Sequence, residues 1–131
     1  GIYKFRSNSF ADLEHTFARK EIADLIEQQK PDALVCMHDR MAAEVLQIIS
    51  DELKMKVPED ISLVGFDDES FAAYTSVPLT TTRQPVNQIA ETAIETLLSR
   101  IDNPGQPARN IQISTELIVR RSCGAQQRPP Q

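Results

Sequence analysis

Apolar residues recur at helical spacing in three parts of the chain. They predict amphipathic helices over about residues 16–29, 40–53 and 87–101, each with one apolar face and polar residues on the rest of its surface. Pro31 follows the first segment, and Asp39 precedes the second with a side chain suited to capping a helix N-terminus. The pattern therefore predicts three helices joined by short non-helical segments.

Shorter apolar or β-branched runs predict strands between and after these helices. The run at 61–66 is typical of a strand covered on both faces, as in a parallel sheet. Together with the run at 33–37 and the helix between them, it predicts a right-handed βαβ unit. Further strands are predicted at 80–83, 111–113 and 117–119. The fold class predicted is therefore α/β with a parallel sheet.

Composition narrows the classes of function. The chain has 131 residues, is 40% hydrophobic and 25% charged, and carries a net charge of −5, which suits one globular domain. No basic run exceeds Arg120–Arg121, so we expect no nucleic-acid binding by this chain itself. The two cysteines, Cys36 and Cys123, lack metal-site spacing and are expected to be free buried thiols. No apolar run reaches the roughly 18 residues of a membrane span. No metal, cofactor or catalytic nucleophile–base pair is predicted.

Polar side chains follow three of the predicted strands. In open α/β sheets, ligands bind beyond the carboxyl ends of the strands, so these side chains form a candidate ligand site. The site residues predicted in this way are His38, Asp39, Asp67, Asp68 and Gln84.

Each acidic or imidazole group of this set has a structural alternative. Asp67 can accept hydrogen bonds from a sugar hydroxyl or a base nitrogen, or can be satisfied by nearby backbone amides. For Asp68 we favour an Asx turn or a cap of a helical turn at 69–74. For Asp39 we favour the cap of the second helix. His38 is either a ligand contact or a structural residue, and as neutral imidazole it both donates and accepts.

Four ordered blocks of sequence resemble the LacI/GalR-type transcription regulators. They are PDALVCMHDRMA at 31–42, VPEDISLVGFDD at 57–68, PLTTTRQP at 78–85 and ELIVRRSC at 116–123. The resemblance implies a periplasmic-binding-protein-like type I fold, in which a small molecule lies between two α/β lobes. This chain would supply the C-terminal lobe, a three-layer αβα arrangement with a parallel sheet.

The resemblance also implies a division of the chain. Residues 1–30 form a lead-in with a helix, 31–123 form the C-terminal lobe, and 124–131 are expected to be a disordered tail. Within the lobe, 84–110 would cross to an N-terminal lobe outside this chain. The apolar stripe of the helix at 87–101 would then be exposed, and we expect a partner to cover it, its packing to rearrange, or the helix to be disordered.

The roles implied for the site follow from the same likeness. In the proteins it resembles, the carboxylate at Asp67 often reaches the effector, and many have Asn where His38 stands. Gln84, at the lobe crossover, would hydrogen-bond the effector and report lobe closure, or serve as a plain hinge residue.

The function implied is effector sensing in a cytoplasmic, homodimeric transcription regulator. A sugar or nucleobase-like effector would control operator binding through an N-terminal headpiece outside this chain, of the helix-turn-helix or GntR winged-helix type. One alternative is a solute-binding protein of a transport system, which has the same lobes. Another is a phosphoreceiver switch, since Asp67 and Asp68 are similar to its Mg²⁺-binding carboxylates, but a matching phosphoacceptor and lysine arrangement is lacking.

Overall fold

The computed structural model describes residues 16–125. The part of the lead-in before Thr16 and the tail at 126–131 lie outside the described residues. The helices are α1 (Thr16–Gln29), α2 (Asp39–Gln47), which continues as a π-helical turn (Ile48–Glu52), and α3 (Val86–Asp102). The strands are β1 (Ala33–Val35), β2 (Ser62–Val64), β3 (Thr81–Arg83) and β4 (Glu116–Ile118), and 3₁₀ turns lie at Ser70–Ala73 and Arg121–Cys123.

The helix predictions are confirmed, and the strand predictions are confirmed in part. All three predicted helices are present, although the last turn of the second one widens into the π-helical turn. The first three strands are shorter than predicted, and the last one is shifted by one residue, to Glu116–Ile118. The strand predicted at 111–113 is wrong, since that segment is irregular and has no strand pairing.

The predicted parallel βαβ unit is confirmed. β1 pairs with β2 in parallel, with Ala33 opposite Ser62 and Val35 opposite Val64. A parallel bridge between Val64 and Thr80 connects this pair to the segment entering β3. β3 then pairs with β4 in the antiparallel sense. The strands therefore follow one another in space in the order of the sequence.

The core lies between the α1–α2 layer and the first two strands. α1 packs on the π-helical turn, and α2 packs on β2. The largest fully buried apolar side chains come from α1, the π-helical turn, β2 and the segments just before β2 and β3: Ile26, Ile48, Ile49, Leu63, Ile61 and Leu79. This packing fixes the ends of β1 and β2 relative to the start of α2, where the candidate site lies.

α3 shows a different arrangement. It is a regular helix of 17 residues, yet none of its residues is buried. Its apolar stripe is exposed as predicted, and Leu97 retains 59% of its accessible surface. The expectation of rearranged packing or disorder is wrong, because α3 forms as a helix without burying that stripe. Its covering by a partner stays a prediction. No helix among residues 16–125 is both long and apolar enough to cross a membrane.

Candidate ligand site at the carboxyl ends of the strands

β1 and β2 end side by side, which brings His38 and Asp67 to the same level of the sheet. Val35 pairs with Val64, and each strand then runs three residues further to one of these side chains. The backbones stay together to that point, because the Asp39 amide donates to the Phe66 carbonyl at 2.8 Å. Neighbouring strands lie about 4.8 Å apart, so the two residues lie at adjacent strand ends.

The loop that carries Asp67 has an unusual backbone. Asp67 has a φ of 103° and Asp68 a φ of 55°, two consecutive non-glycine residues in the left-handed region. Aspartate is one of the few residues that tolerates this region, although the conformation still costs free energy. Strained backbone of this kind persists where the surroundings hold it, and it concentrates at functional sites.

Successive amides of residues 67–69 are hydrogen-bonded and hold the loop in this conformation. The first donates to the Thr82 carbonyl at 2.9 Å. The second donates to Thr81 Oγ1 at 3.3 Å, and the third donates to Asp39 Oδ2 at 2.8 Å. The loop is therefore fixed by β3 and by the start of α2, and its strain is supported by bonds from two elements.

The Asp67 carboxylate is bonded to Gln84, which follows β3. Gln84 Nε2 donates to Asp67 Oδ1 at 2.7 Å. Two predicted site residues are thus in direct contact, and the predicted alternative for Asp67, satisfaction by nearby backbone amides, is not what the carboxylate does here. Gln84 also borders an open depression lined by residues 84–88. Contact of either side chain with an effector stays a prediction.

His38, rather than Asp39, caps α2, so the predicted capping role of Asp39 is wrong. The Met41 amide donates to His38 Nδ1 at 3.1 Å. The reason is positional: His38 has the extended backbone of a capping residue, with φ −155° and ψ 162°, whereas Asp39 is already the first helical residue.

Asp39 is fully buried and holds the loop of the candidate site in place. Its Oδ1 accepts from Thr81 Oγ1 at 2.6 Å, while its other oxygen accepts from the Glu69 amide. Gly65 makes room for this carboxylate, because a Cβ there would lie 2.1 Å from Asp39 Oδ1. With no exposed surface, Asp39 acts on the site by holding the 67–69 loop.

Asp68 forms ion pairs, so its predicted role as an Asx turn or cap of the following helical turn is wrong. Arg83 lies 2.6 Å from its Oδ2, and Arg120 lies 2.6 Å from its Oδ1. Burial acts to raise the pKa of Asp68, but the hydrogen bonds and charges of Arg120 and Arg83 outweigh it and hold the pKa below its usual value. Both carboxylate oxygens are engaged, which leaves Asp67 as the accessible acid of the pair.

Several supporting residues escaped the sequence-based prediction of the site. Arg120 donates to the Leu79 carbonyl at 2.8 Å as well as to Asp68. Buried Ser122 accepts from the Thr80 amide at 2.8 Å and donates to the Leu63 carbonyl at 2.5 Å. Both residues lie in the last block that resembles the LacI/GalR-type regulators, at 116–123, and that resemblance could have pointed to them. They tie the segment after β4 to the strands that carry the site.

The cysteines are free thiols, as predicted, although only Cys36 is buried. Burial, followed by the charge of Asp39, raises the pKa of Cys36 to about 12. Among residues 16–125, no group of three His, Cys, Asp or Glu side chains is placed to hold a metal ion.

Comparison with known proteins identifies the family. Residues 3–123 match the model of a family described as "periplasmic binding protein-like domain". The HTH-type transcriptional repressor PurR of Aliivibrio salmonicida is 37% identical over 112 residues, which cover 85% of this chain and 33% of that protein. The ribose operon repressor of Haemophilus influenzae is 35% identical over 98 residues, covering 75% of this chain and 29% of that protein. The chain spans about a third of the length of these curated relatives.

Solved structures agree in fold. The transcriptional regulator CelR–cellobiose complex gives a TM-score of 0.71 at 26% identity, over 79% of this chain and 32% of that one. A LacI family transcriptional regulator from Lactobacillus casei with bound glucose gives 0.61 at 34% identity, over 81% and 37%. The chain therefore belongs to the periplasmic-binding-protein-like domain family. Within that family it is the C-terminal part of an effector-binding domain of the LacI/GalR type, which confirms the predicted resemblance and α/β class.

Proposed function

We propose that this chain forms one wall of the effector site in a transcription repressor. The effector is a small, uncharged, polar molecule, a sugar or a nucleobase-like compound, held between this lobe and a second one. The observation that carries the proposal is the placement of Asp67. It stands at the end of a buried strand, in a strained and well-supported loop, beside His38 of the neighbouring strand.

The bond between Asp67 and Gln84 supports a coupling of the site to the lobe crossover. Gln84 lies two residues before α3 begins at Val86, the segment we assign to the passage toward the second lobe. An effector that binds one arrangement of the lobes more tightly shifts the population toward it. That shift alters operator binding by an N-terminal headpiece outside this chain, in a homodimer that acts in the cytoplasm.

The relatives support regulation over transport and over catalysis. The two curated relatives named above are repressors, and the two solved structures are transcriptional regulators, one with bound glucose and the other with cellobiose. These are properties of the related proteins, and they support a sugar-like effector here. A phosphoreceiver role is disfavoured because both oxygens of Asp68 are occupied by arginines.

The test is isothermal titration of the protein that contains this chain with D-ribose, D-glucose, cellobiose and hypoxanthine. Asp67→Asn keeps a residue that tolerates positive φ but removes the charge, and it should lower the affinity for the bound probe at least about 100-fold. The matched control is Asp24→Asn, a change at an exposed position of α1, which should leave affinity unchanged. Unaltered affinity in Asp67→Asn would contradict the assignment.

A companion measurement addresses regulation. The bound probe should change the affinity of the same protein for the DNA upstream of its own gene, and Asp67→Asn should remove that change while DNA binding without the probe persists. If the probe binds but never alters DNA affinity, the transport alternative gains support.

A further inference from the structure

The chain leaves the packed part of the molecule after β3 and returns to it at β4. The residues between these strands, 84–115, include α3, and none of them is buried. We call residues 84–115 the outer segment and the β3–β4 pair its base. The pair of the ladder next to the outer segment joins Arg83 to Glu116, whose side chains also form an ion pair at 3.4 Å. Because the outer segment buries no residue against the rest of the described chain, its position is set at this base.

One carboxylate connects both strands of the base to the loop of the candidate site. Arg83, at the end of β3, places Nη2 2.6 Å from Asp68 Oδ2, and its Nε donates to the same oxygen at 2.7 Å. Arg120, just after β4, places Nη2 2.6 Å from Asp68 Oδ1. The Asp68 side chain keeps only 7% of its accessible surface. The acid at the centre of this network is therefore shielded from water, unlike that of an ordinary surface ion pair.

This connection does not use the atoms that face a ligand in the proposed site. Gln84 Nε2 donates to Asp67 Oδ1 at 2.7 Å, so a ligand that takes this oxygen displaces the bond between the loop and the outer segment. Both oxygens of the nearly buried Asp68 are held by arginines instead. The link through Asp68 therefore persists when Asp67 exchanges Gln84 for a ligand.

The shape of the loop does not depend on the Asp68 carboxylate. Its backbone is held by the amides of residues 67–69, which donate to the Thr82 carbonyl, Thr81 Oγ1 and Asp39 Oδ2. These bonds keep Asp67 in place without the Asp68 charge. What the carboxylate adds is the connection to the base of the outer segment.

We propose that Asp68 is a positioning residue, which couples effector binding at Asp67 to the outer segment by fixing the base of that segment to the site loop. The proposal rests on the proposed function and names the residue that carries its coupling. An effector that favours one arrangement of the lobes acts on the outer segment through this link. Loss of the link should separate binding from regulation, because Asp67 stays in place while the base is released.

The first test needs no ligand. In the protein that contains this chain, with its exposed cysteines replaced by serine, spin labels at Glu27→Cys on α1 and Glu91→Cys on α3 report the distance between the packed part and the outer segment. Asp68→Asn keeps a residue that tolerates positive φ, but its amide NH₂ faces an arginine. Pulsed electron paramagnetic resonance should show a shifted or broadened distance distribution in Asp68→Asn. A distribution equal to that of the parent would overturn the proposal.

The second test separates binding from coupling. The probe is whichever of D-ribose, D-glucose, cellobiose and hypoxanthine binds the wild type, and the coupling is the ratio of DNA affinities with and without it. Asp68→Asn should keep the probe affinity within about threefold of wild type, whereas the coupling should fall at least about fivefold. Arg83→Gln, at an exposed position where folding is less at risk, should lower the coupling in the same direction because it releases one strand of the base.

Two controls distinguish positioning from a loss of stability. Ile49→Val shortens a fully buried side chain away from the network and should destabilise the fold without changing the coupling. Glu116→Gln removes only the exposed pair with Arg83 and leaves the bonds of Asp68 intact, so its coupling should equal that of wild type.

The outcomes keep this proposal apart from the proposed function. Wild-type coupling in Asp68→Asn, or an equal loss of coupling in Ile49→Val, would overturn the positioning role while leaving effector binding intact. A wild-type protein that binds none of the four probes would contradict the proposed function. The spin-label distances would still decide whether Asp68 fixes the base of the outer segment.

Discussion

α2 and α3 have similar amphipathic patterns but different surroundings. α2 with its π-helical turn buries Ala42, Val45, Leu46, Ile48 and Ile49 against the sheet and α1, whereas no residue of α3 is buried. Periodicity identifies which face of a helix is apolar. It does not identify what covers that face, and within the described residues the apolar face of α2 is covered and that of α3 is not. The packed half of the molecule carries the site, and the exposed half leads away from it.

Core truncation should separate the two halves most strongly. Ile49→Ala removes a fully buried side chain next to α1 and should lower the free energy of unfolding by about 4 kcal/mol. Leu97→Ala in α3 removes a largely exposed side chain and should cost under about 0.5 kcal/mol in this chain alone. Urea denaturation measures both. A larger cost for Leu97→Ala in a longer protein would show that another part covers the α3 stripe, and equal costs in this chain would contradict the comparison.

Two glycines sharpen the contrast. Gly65→Ala places a Cβ 2.1 Å from Asp39 Oδ1 and should cost about 3 kcal/mol, because the buried carboxylate must move away from its partners. Gly105→Ala, after α3, meets no atom within 4 Å and should be close to neutral. Thermal unfolding checks the pair, and a neutral Gly65→Ala would mean that Asp39 is not held as described.

The Asp68 ion pairs give a prediction with a pH dependence. Asp68→Asn should cost about 2 kcal/mol at neutral pH, because two arginines lose a largely buried charged partner. Since folding lowers the pKa of Asp68, its contribution is present above the ordinary value of 3.8 and is lost as the pH falls through the folded pKa.

The difference in unfolding free energy between wild type and Asp68→Asn should therefore shrink below about pH 4. Glu52→Gln is the matched control, because it breaks the exposed pair with Arg19 and should cost under about 1 kcal/mol at any pH. A constant difference for Asp68→Asn down to acid pH would contradict the ion-pair assignment.

The two cysteines have the smallest expected effect on stability near neutral pH, but they should differ in reactivity. At pH 8 a thiol reagent should modify half-buried Cys123 and leave Cys36 nearly unreactive, because burial and a pKa of about 12 suppress its thiolate roughly a thousandfold. Because this pKa is raised on folding, the contribution of Cys36 to stability is complete below its ordinary value of 9 and is lost as the pH rises toward 12. Comparable labelling of the two thiols in the native protein would contradict this.

The sequence predicts the helices and the strand ends that carry the candidate site residues well, because both follow from local patterns. α1 has the bounds predicted, and His38 and Asp67 lie beyond the carboxyl ends of neighbouring strands. Individual roles at that edge were harder to predict. Whether His38 or Asp39 caps α2 depends on which residue first takes helical dihedral angles, and the sequence permits both.

Long-range partners account for the remaining errors. Asp68 was expected to act within its own loop, but its charge is balanced by Arg120, which lies 52 residues further along the chain. Asp39 is likewise engaged by Thr81 across the sheet. A single sequence shows which charged and polar residues are present, but it does not show which of them pair across long stretches of chain. An apolar stripe, in contrast, can be seen within one helix.

A crystal structure of the protein that contains this chain, grown with whichever probe binds in the titration, would show whether the effector binds at this edge of the sheet. We expect the ligand to lie at the carboxyl ends of β1 and β2, within about 3 Å of side-chain atoms of both Asp67 and His38. A ligand bound elsewhere, with both side chains free of it, would contradict the assignment of this edge as the effector site.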